Sequence, residues 1–200
     1  MSEQQTSISP RERYREQVRS EVRERAWEQI ADAGASALSL KAIAKQMGMT
    51  APALYRYYAS RDDLLTELVL AAYRDLADVV GAAAGPVADD ASAAARLREI
   101  AQAVRAWALT YPHRYLLVYG TPVPGYHAPP EATDLARRIF APILEAFAPD
   151  PAMRKPLAFW TRMHGVLSLE AAGHFTAMPF DPAVLYAEEV ESLLSAPLRP

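Results

Sequence analysis

No cysteine occurs among the 200 residues of the chain, which removes a disulfide framework and any thiolate zinc site and suits a reducing cytoplasm. A Gly-rich phosphate loop, a G-x-S-x-G nucleophile elbow and an H-E-x-x-H zinc helix are absent as well, so the sequence-local signatures of nucleotide hydrolysis, acyl transfer and metalloprotease chemistry are missing. The four histidines stand at positions 113, 127, 164 and 174, too scattered for a local metal site. Glu170 and His174 are one helical turn apart but would need His164 to make a ligand set, and neither a metal nor a cofactor is expected. No apolar run reaches membrane-spanning length, and the opening MSEQQTSISPRERYREQ lacks the apolar core of a signal peptide. The expectation is a soluble, cytoplasmic protein with no membrane partner.

Strand signals are missing too, and what is present is helical. Hydrophobic residues at 51% and charged residues at 22% mark a globular chain, long enough for one compact domain or for a small reader fused to a larger core. A first helix is predicted from about Pro10 to Ala33, with Val18, Val22, Ala26 and Ile30 recurring every four residues as one buried stripe and Gly34 ending it. Two short helical patterns follow, then a helix from Ser60 to about Ala84 carrying Leu64, Leu65, Leu68, Val69, Ala72, Leu76 and Val80. Gly85-Pro86 and the acidic, Ala-rich ADDASAAA predict a break. Further helices are predicted over about 92–110, 131–147, 152–176 and 182–195, with Pro142 and Pro156 kinking or starting theirs. Residues 111–130 are the least regular stretch, because Pro122, Pro124, Pro129 and Pro130 prevent a long helix. The reading is all-α with about nine helices, divided into a reader at residues 1–62 and a helical ligand-binding and dimerisation domain at 63–200.

Residues 38–70 say most about function. Ser39 is placed to cap a helix through Ile43 and Ala44, whose small side chain admits a crossing helix, and Gly48 supplies a turn with φ > 0. Thr50 is placed to cap the second helix, Pro52 sits in its first turn without losing a hydrogen bond, and Leu54 points back at the first helix. Ala51, Pro52, Ala53, Tyr55, Arg56 and Tyr57 are left on or near the exposed side. An ordinary helical hairpin with core aromatics would fit the same spacing. Against it stand a small Thr-Ala-Pro-Ala tip able to approach a phosphate backbone, and Lys41, Lys45, Arg56 and Arg61 with no acid between residues 33 and 61. The net charge of −3 hides an asymmetry: residues 1–61 hold ten Lys or Arg against seven Asp or Glu, and residues 62–200 hold eleven against seventeen. Arg11, Arg13 and Arg15 read either as a basic arm along the DNA backbone or as a solvated helix face balanced by Glu12, Glu16 and Glu21.

The run Leu40, Ile43-Ala44, Gly48-Met49-Thr50, Ala53-Leu54-Tyr55, Tyr58 and Ser60-Arg61-Asp62-Asp63-Leu64-Leu65 resembles the DNA-binding domain of the TetR/AcrR family of transcriptional regulators. Trp160 to Gly165, preceded by Tyr111-Pro112 and the segment from Gly120 to Tyr126, resembles more loosely the WHG-type ligand-binding domain of one branch of that family. The resemblance implies a double-stranded operator as partner and repression relieved by a ligand. Lys41, Tyr55 and Tyr57 are expected on phosphates, with Arg56 and the tip of Ala51, Pro52 and Ala53 at base edges, and Thr50 at the helix start completes the expected DNA-binding set. Arg61 is expected to anchor the next helix to the backbone. Ala51 and Ala53 replace the larger polar residues often found in the family, so direct readout is expected to be sparse and shape readout correspondingly important.

Aromatic residues gather in the second half. Trp107, Tyr111, Tyr115 and Tyr119 lie in or beside the helix-to-loop region, and Phe140, Leu144, Trp160, Met163, His164 and Leu167 lie on later helices that could close a pocket for a small, largely apolar or aromatic effector. The competing reading makes most of them core, with His164 and Tyr119 the polar groups best suited to orient a ligand. Apolar positions on the last two helices (Val166, Leu169, Ala172 and Gly173, then Val184, Leu185, Val190 and Leu193) exceed what one layer needs and predict a twofold homodimer. The alternative in another class is a helical enzyme or small-molecule carrier with no DNA-binding role.

Overall fold

Capping fixes where the first helix begins. The Ser9 hydroxyl accepts from the Glu12 amide at 3.2 Å, the Glu12 carboxylate accepts from the Ser9 amide at 2.9 Å, and Pro10 follows where its missing N–H costs nothing. From there α1 (Pro10–Ala33) buries Val18, Val22, Ala26 and Ile30, and Gly34 ends it at φ +77°, a conformation that a Cβ resists. The computed structural model describes residues 9–85 and 92–195. Among them it contains nine α-helices, a short 3-10 turn at Ala35–Ala37 and no strand. Two compact units emerge, one running to Leu68 and taking in Val123–Tyr126, the other comprising Val69–Pro122 and the chain from His127 onward. The division falls inside a helix, beyond the expected boundary after residue 62.

In the N-terminal unit, α2 (Leu40–Gln46) and α3 (Ala51–Leu54) follow the 3-10 turn, and α4 (Arg61–Ala84) begins the next layer. The start of α4 is a reciprocal cap: the Ser60 hydroxyl accepts from the Asp63 amide at 3.0 Å, and Asp63 accepts from the Ser60 amide at 3.1 Å. Four residues further on, Glu67 gathers α1 and the turn after α3. It accepts from Arg23 at 2.7 Å, from the Tyr58 hydroxyl at 3.1 Å, and from Arg19. The Arg19 guanidinium also lies 4.8 Å from the centre of the Tyr58 ring, a cation–π geometry. Burial works to raise the Glu67 pKa, but the hydrogen bonds from Arg23 and Arg19 outweigh it and hold the carboxyl below its ordinary value. Burial, reinforced by the Glu67 charge, pushes the Tyr58 hydroxyl up to about 12.

The C-terminal unit is organised by α5 (Ala93–Thr110), which packs on α6 (Pro112–Tyr119), α7 (Pro130–Ala146), α8 (Arg154–Ala171) and α9 (Pro182–Ser195). Leu97, Ile100, Ala101, Val104, Trp107 and Ala108 form its buried stripe at the three- and four-residue spacing of a helix face. Asp75 of α4 accepts from the Trp107 indole at 2.8 Å and from Arg114 of α6 at 2.9 Å. Tyr186 of α9 donates to the Ala101 carbonyl at 2.7 Å.

One expectation needs correction: helix α8 stops at Ala171 instead of residue 176, and Gly173 at φ +78° turns the chain just beyond it. The irregular stretch holds the short α6, with Pro112 in its first turn, and Pro142 lies inside α7. The expected break over residues 86–91 and residues 1–8 lie outside the described residues.

Replacing Glu67 by Gln leaves Arg19 and Arg23 without their shared counter-charge, and the variant is expected to lose about 1–3 kcal/mol near neutral pH. A carboxyl whose pKa is depressed on folding contributes in full above its unfolded value of 4.5, and its contribution is lost as the pH falls through the folded value. Equilibrium urea titrations of the two proteins should therefore converge as the pH is lowered below 4.5; a gap independent of pH would contradict the assignment.

Candidate DNA interface and ligand cavity

The turn between α2 and α3 is set locally. Ser39 caps α2 by accepting from the Ala42 amide at 3.4 Å, and its own amide donates to Gln29 of α1 at 3.0 Å. Gly48 holds φ +65°, and the next amide, Met49, reaches back to the Ala44 carbonyl at 2.8 Å. A Cβ on Gly48 would meet no atom within 4 Å, so glycine is required there by conformation and not by crowding. Leu54 and Tyr58 are buried and seat the segment on the core.

Thr50 departs from its expected role. It occupies the N-cap with extended backbone but its side chain makes no capping bond. Pro52 has no N–H to offer, and the Ala53 amide bonds to the Thr50 carbonyl at 3.0 Å, so the hydroxyl has no donor left to accept from. Helix α3 also ends at Leu54, with Tyr55 to Tyr57 in the turn that follows. Thr50, Pro52, Tyr55 and Arg56 are exposed, as are Lys41 and Lys45 on α2; Ala51, Ala53 and Tyr57 are partly covered.

Ion pairing separates these cations from the rest. Among the described residues, Arg11, Arg13, Arg15, Lys41, Lys45 and Arg56 form no ion pair, while Arg19, Arg23, Arg25 and Arg61 of the same unit do. Arg11, Arg13 and Arg15 lie in the first turns of α1, exposed, so over these residues the expected arm is helix. Arg61 is the correction: its guanidinium donates to the Leu38 carbonyl at 3.2 Å and the Ala35 carbonyl at 2.9 Å, and pairs with Asp62 at 3.2 Å. Those carbonyls lie in and just after the 3-10 turn, which leaves the side chain bracing the unit instead of reaching outward.

In the C-terminal unit, α6, α7 and α8 line a cavity of about 470 Å³, open to the surface, whose walls include Tyr119, Phe140, Leu144 and Trp160. The sequence reading omitted Thr133, Ala136, Arg137, Met153 and Leu157, which also line it. Thr133, Ala136, Phe140 and Leu144 fall at three- and four-residue steps along α7, a stripe that periodicity could have found. Met153 holds φ +54° at the start of α8, a left-handed conformation uncommon for a side chain of its size. A second cavity of about 370 Å³ is bounded by Tyr115, Tyr119, Trp160 and His164, together with Thr161, Gly165 and Ser168.

His164 is ringed by aromatics. Its ring centre lies 4.2 Å from that of Trp160 and 4.4 Å from that of Tyr119, and it stacks on Tyr115 at 5.6 Å with 9° between planes. The Tyr115 hydroxyl meets Nδ1 at 2.9 Å, while Nε2 is buried without a partner. Burial pushes His164 down to about 4 and raises Tyr115 and Tyr119 well above the ordinary tyrosine range. The ring is therefore uncharged at neutral pH.

Four expected pocket residues are not brought to these walls. Trp107 is buried with its indole on Asp75, Met163 and Leu167 are core, and Tyr111 lies under the Arg114 guanidinium at 4.3 Å. Glu170 binds Arg105 at 2.6 Å, which removes it from the ligand set considered with His164 and His174. Among the described residues no helix is long and apolar enough to cross a membrane.

A glycine-turned helical pair whose cations have no ion-pair partner among the described residues, in a chain that also contains a larger helical unit with its own apolar cavity, defines a helix-turn-helix DNA-binding protein with a second helical unit. Residues 22–68 match the family described as bacterial regulatory proteins, tetR family, and residues 97–193 match the tetracyclin repressor-like C-terminal domain. The chain is 36% identical to the HTH-type transcriptional regulator Rv1816 of Mycobacterium tuberculosis, over 94% of this chain and 95% of that protein. The crystal structure of SCO4313 is similar with a TM-score of 0.83 and 50% identity, covering 94% of this chain and all of that one, 100%. A TetR variant from Acinetobacter baumannii AYE in complex with minocycline shares the fold, with a TM-score of 0.57 at 18% identity over 94% of this chain and 96% of that one. The chain belongs to the TetR family, and it is a DNA-binding transcriptional regulator, not an enzyme.

A histidine whose pKa is lowered on folding weakens the folded state where only the unfolded chain is protonated, so its contribution makes stability rise with pH between about 4 and 6.5. His164→Phe should flatten the pH dependence of stability in that window. Nitrogen-detected NMR of the wild type should show His164 titrating near 4; titration near 6.5 would contradict the buried geometry.

Proposed function

We propose that the protein is a cytoplasmic, ligand-responsive repressor that binds a palindromic double-stranded operator as a homodimer. The observation that carries this reading is the set of unpaired cations around a glycine-turned pair of short helices, in a chain whose other arginines are mostly paired. Lys41, Tyr55 and Tyr57 hold phosphates, and Arg56 with the Ala51 to Ala53 tip faces the bases. Arg61 serves the site by holding Ala35 and Leu38, which flank the start of α2. One reader covers a short half-site, and twofold pairing doubles it.

The dimer is assigned to α8 and α9. Val166 and Val190 face the interior of the chain, whereas Leu169 is 44% exposed and Val184 54% exposed, beside exposed Ala172 and Gly173. Those four support an interface, with Leu185 and Leu193 half-buried beside them. The cavity takes the effector, a small and largely apolar or aromatic molecule. Helix α4 is the lever, since it begins in one unit and continues in the other, and an effector that prefers the wrong reader spacing lowers operator affinity by its differential affinity for the two states.

Arg56→Ala is expected to weaken preferred sites by about 1–3 kcal/mol and to relax base preference, whereas Lys41→Ala weakens all sites alike and reduces the salt dependence. Competition binding on a selected operator and on mixed-sequence DNA separates the two effects, and an Arg56→Ala protein with unaltered affinity and preference would remove Arg56 from the base edges. Sedimentation at micromolar concentration should give twice the chain mass of 22.0 kDa. The double variant Leu169→Lys, Val184→Lys, altering two side chains exposed in the single chain, should fall to one chain; a wild-type protein already at that mass would refute the dimer.

A further inference from the structure

The two cavities of the C-terminal unit share a wall. Tyr119 and Trp160 line both, their rings edge to face at 5.9 Å, and His164 is packed against both of them. Hydrogen-bond valence settles the state of the histidine. Tyr115 is fully buried, and its hydroxyl meets one partner among the described residues, His164 Nδ1. Were Nδ1–H to donate instead, the buried phenol O–H and Nε2 would both be left without a partner, so the arrangement that leaves fewer groups unmet has the phenol donating and Nδ1 accepting. A neutral imidazole has one N–H, which then lies on Nε2. That N–H is buried without a protein partner, where native structures nearly always supply one.

The larger cavity limits what can meet it. Its walls are apolar apart from Thr133, Arg137 and the polar ends of Tyr119 and Trp160, and the Arg137 guanidinium is paired with Asp134 at 2.7 Å and 74% exposed. A carboxylate brought against Tyr119 and Trp160 would lose its water without gaining a buried cation. A neutral acceptor loses far less.

We propose that the effector is a flat, uncharged, apolar molecule bearing a carbonyl-type acceptor, and that it enters the larger cavity, turns the Tyr119–Trp160 wall aside and accepts a hydrogen bond from His164 Nε2–H. This rests on the assignment of the cavity as the effector site. His164 itself lines the smaller cavity beside that wall, with Nε2 buried, so apolar fit admits the molecule and the histidine selects among those that fit. Tyr115 is a positioning residue that acts through the tautomer it imposes.

The test uses two probes of matched shape, 2-acetylnaphthalene and 2-ethylnaphthalene, titrated into the full chain with tryptophan fluorescence as readout. The affinity of the ketone relative to the hydrocarbon should be about three- to tenfold greater for the wild type than for His164→Phe, the range expected of one hydrogen bond, with hydrocarbon binding retained by the variant. Tyr115→Phe, which frees the tautomer while keeping the ring, should narrow the preference without abolishing binding, and nitrogen-detected NMR should show the Nε2–H resonance moving with the ketone and not with the hydrocarbon. Equal relative affinities in wild type and His164→Phe, with both probes bound, would overturn the anchor and leave the cavity assignment standing. Failure of either probe to bind the wild type up to its solubility would overturn both.

Discussion

The placement of the DNA-reading segment depends on one carboxylate. Helix α3 has four residues, far below the length at which a helix sustains itself in water, so tertiary contacts must fix its direction. Leu54 supplies burial on one side. Just after it, Tyr58 is held by Glu67, and Glu67 is held in turn by Arg19 and Arg23 of α1. These interactions connect the beginning, middle and end of the unit through atoms that tolerate little displacement. Burial would otherwise favour a protonated Glu67, and two guanidiniums keep it charged, so the cluster specifies geometry as much as it adds stability.

A division of labour among cations follows. Arg19, Arg23 and Arg61 are committed to acids and carbonyls inside the N-terminal unit, and their positive charge is neutralised or tied down there. Lys41, Lys45 and Arg56, together with Arg11, Arg13 and Arg15, have no ion-pair partner among the described residues. Phosphate binding draws on charges of the second kind, because a guanidinium already satisfied by a carboxylate must break that pair before it displaces a counterion. Sequence spacing places both kinds side by side, and only the folded contacts sort them.

That sorting also marks what could be read from the chain. The stripe Val18, Val22, Ala26 and Ile30, the turn at Gly48 and the burial of Ile43, Ala44 and Leu54 were legible, since each follows from local periodicity or a backbone requirement. Arg61 was misread because its acceptors are backbone carbonyls 23 and 26 residues away, and no pattern of side chains announces a carbonyl. The Thr50 capping bond fails for a reason visible in the sequence, the missing N–H of Pro52, but only in combination with the path of the Ala53 amide. In the second half, Tyr119, Phe140, Leu144 and Trp160 line the large cavity while Trp107, Met163 and Leu167 are core. Helical spacing identifies an apolar face without saying whether another helix fills it. His164 stood out by chemistry, yet its unpartnered nitrogen depends on Tyr115, 49 residues earlier.

In the function proposed above, the connection between effector and operator need not run through α4 alone. The segment Val123–Tyr126 follows α6 in sequence but belongs to the N-terminal unit, where the Tyr126 and Thr66 hydroxyls meet at 3.2 Å. Thr66 is the neighbour of Glu67 on α4. Helix α6 carries Tyr115 and Tyr119, the one imposing the histidine tautomer and the other forming the cavity wall. On that proposal, a ligand that turns Tyr119 acts at the end of α6, a few residues of proline-punctuated chain away from the Tyr126–Thr66 contact on α4. Pro124 restricts φ within that segment and Pro122 just before it, while Gly125 turns the chain at φ +78°. Coupling of this kind requires only that the two arrangements of the wall differ in how well they suit the Tyr126 contact, and a contact made by two hydroxyls is weak enough to be shifted by the free energy of one ligand hydrogen bond.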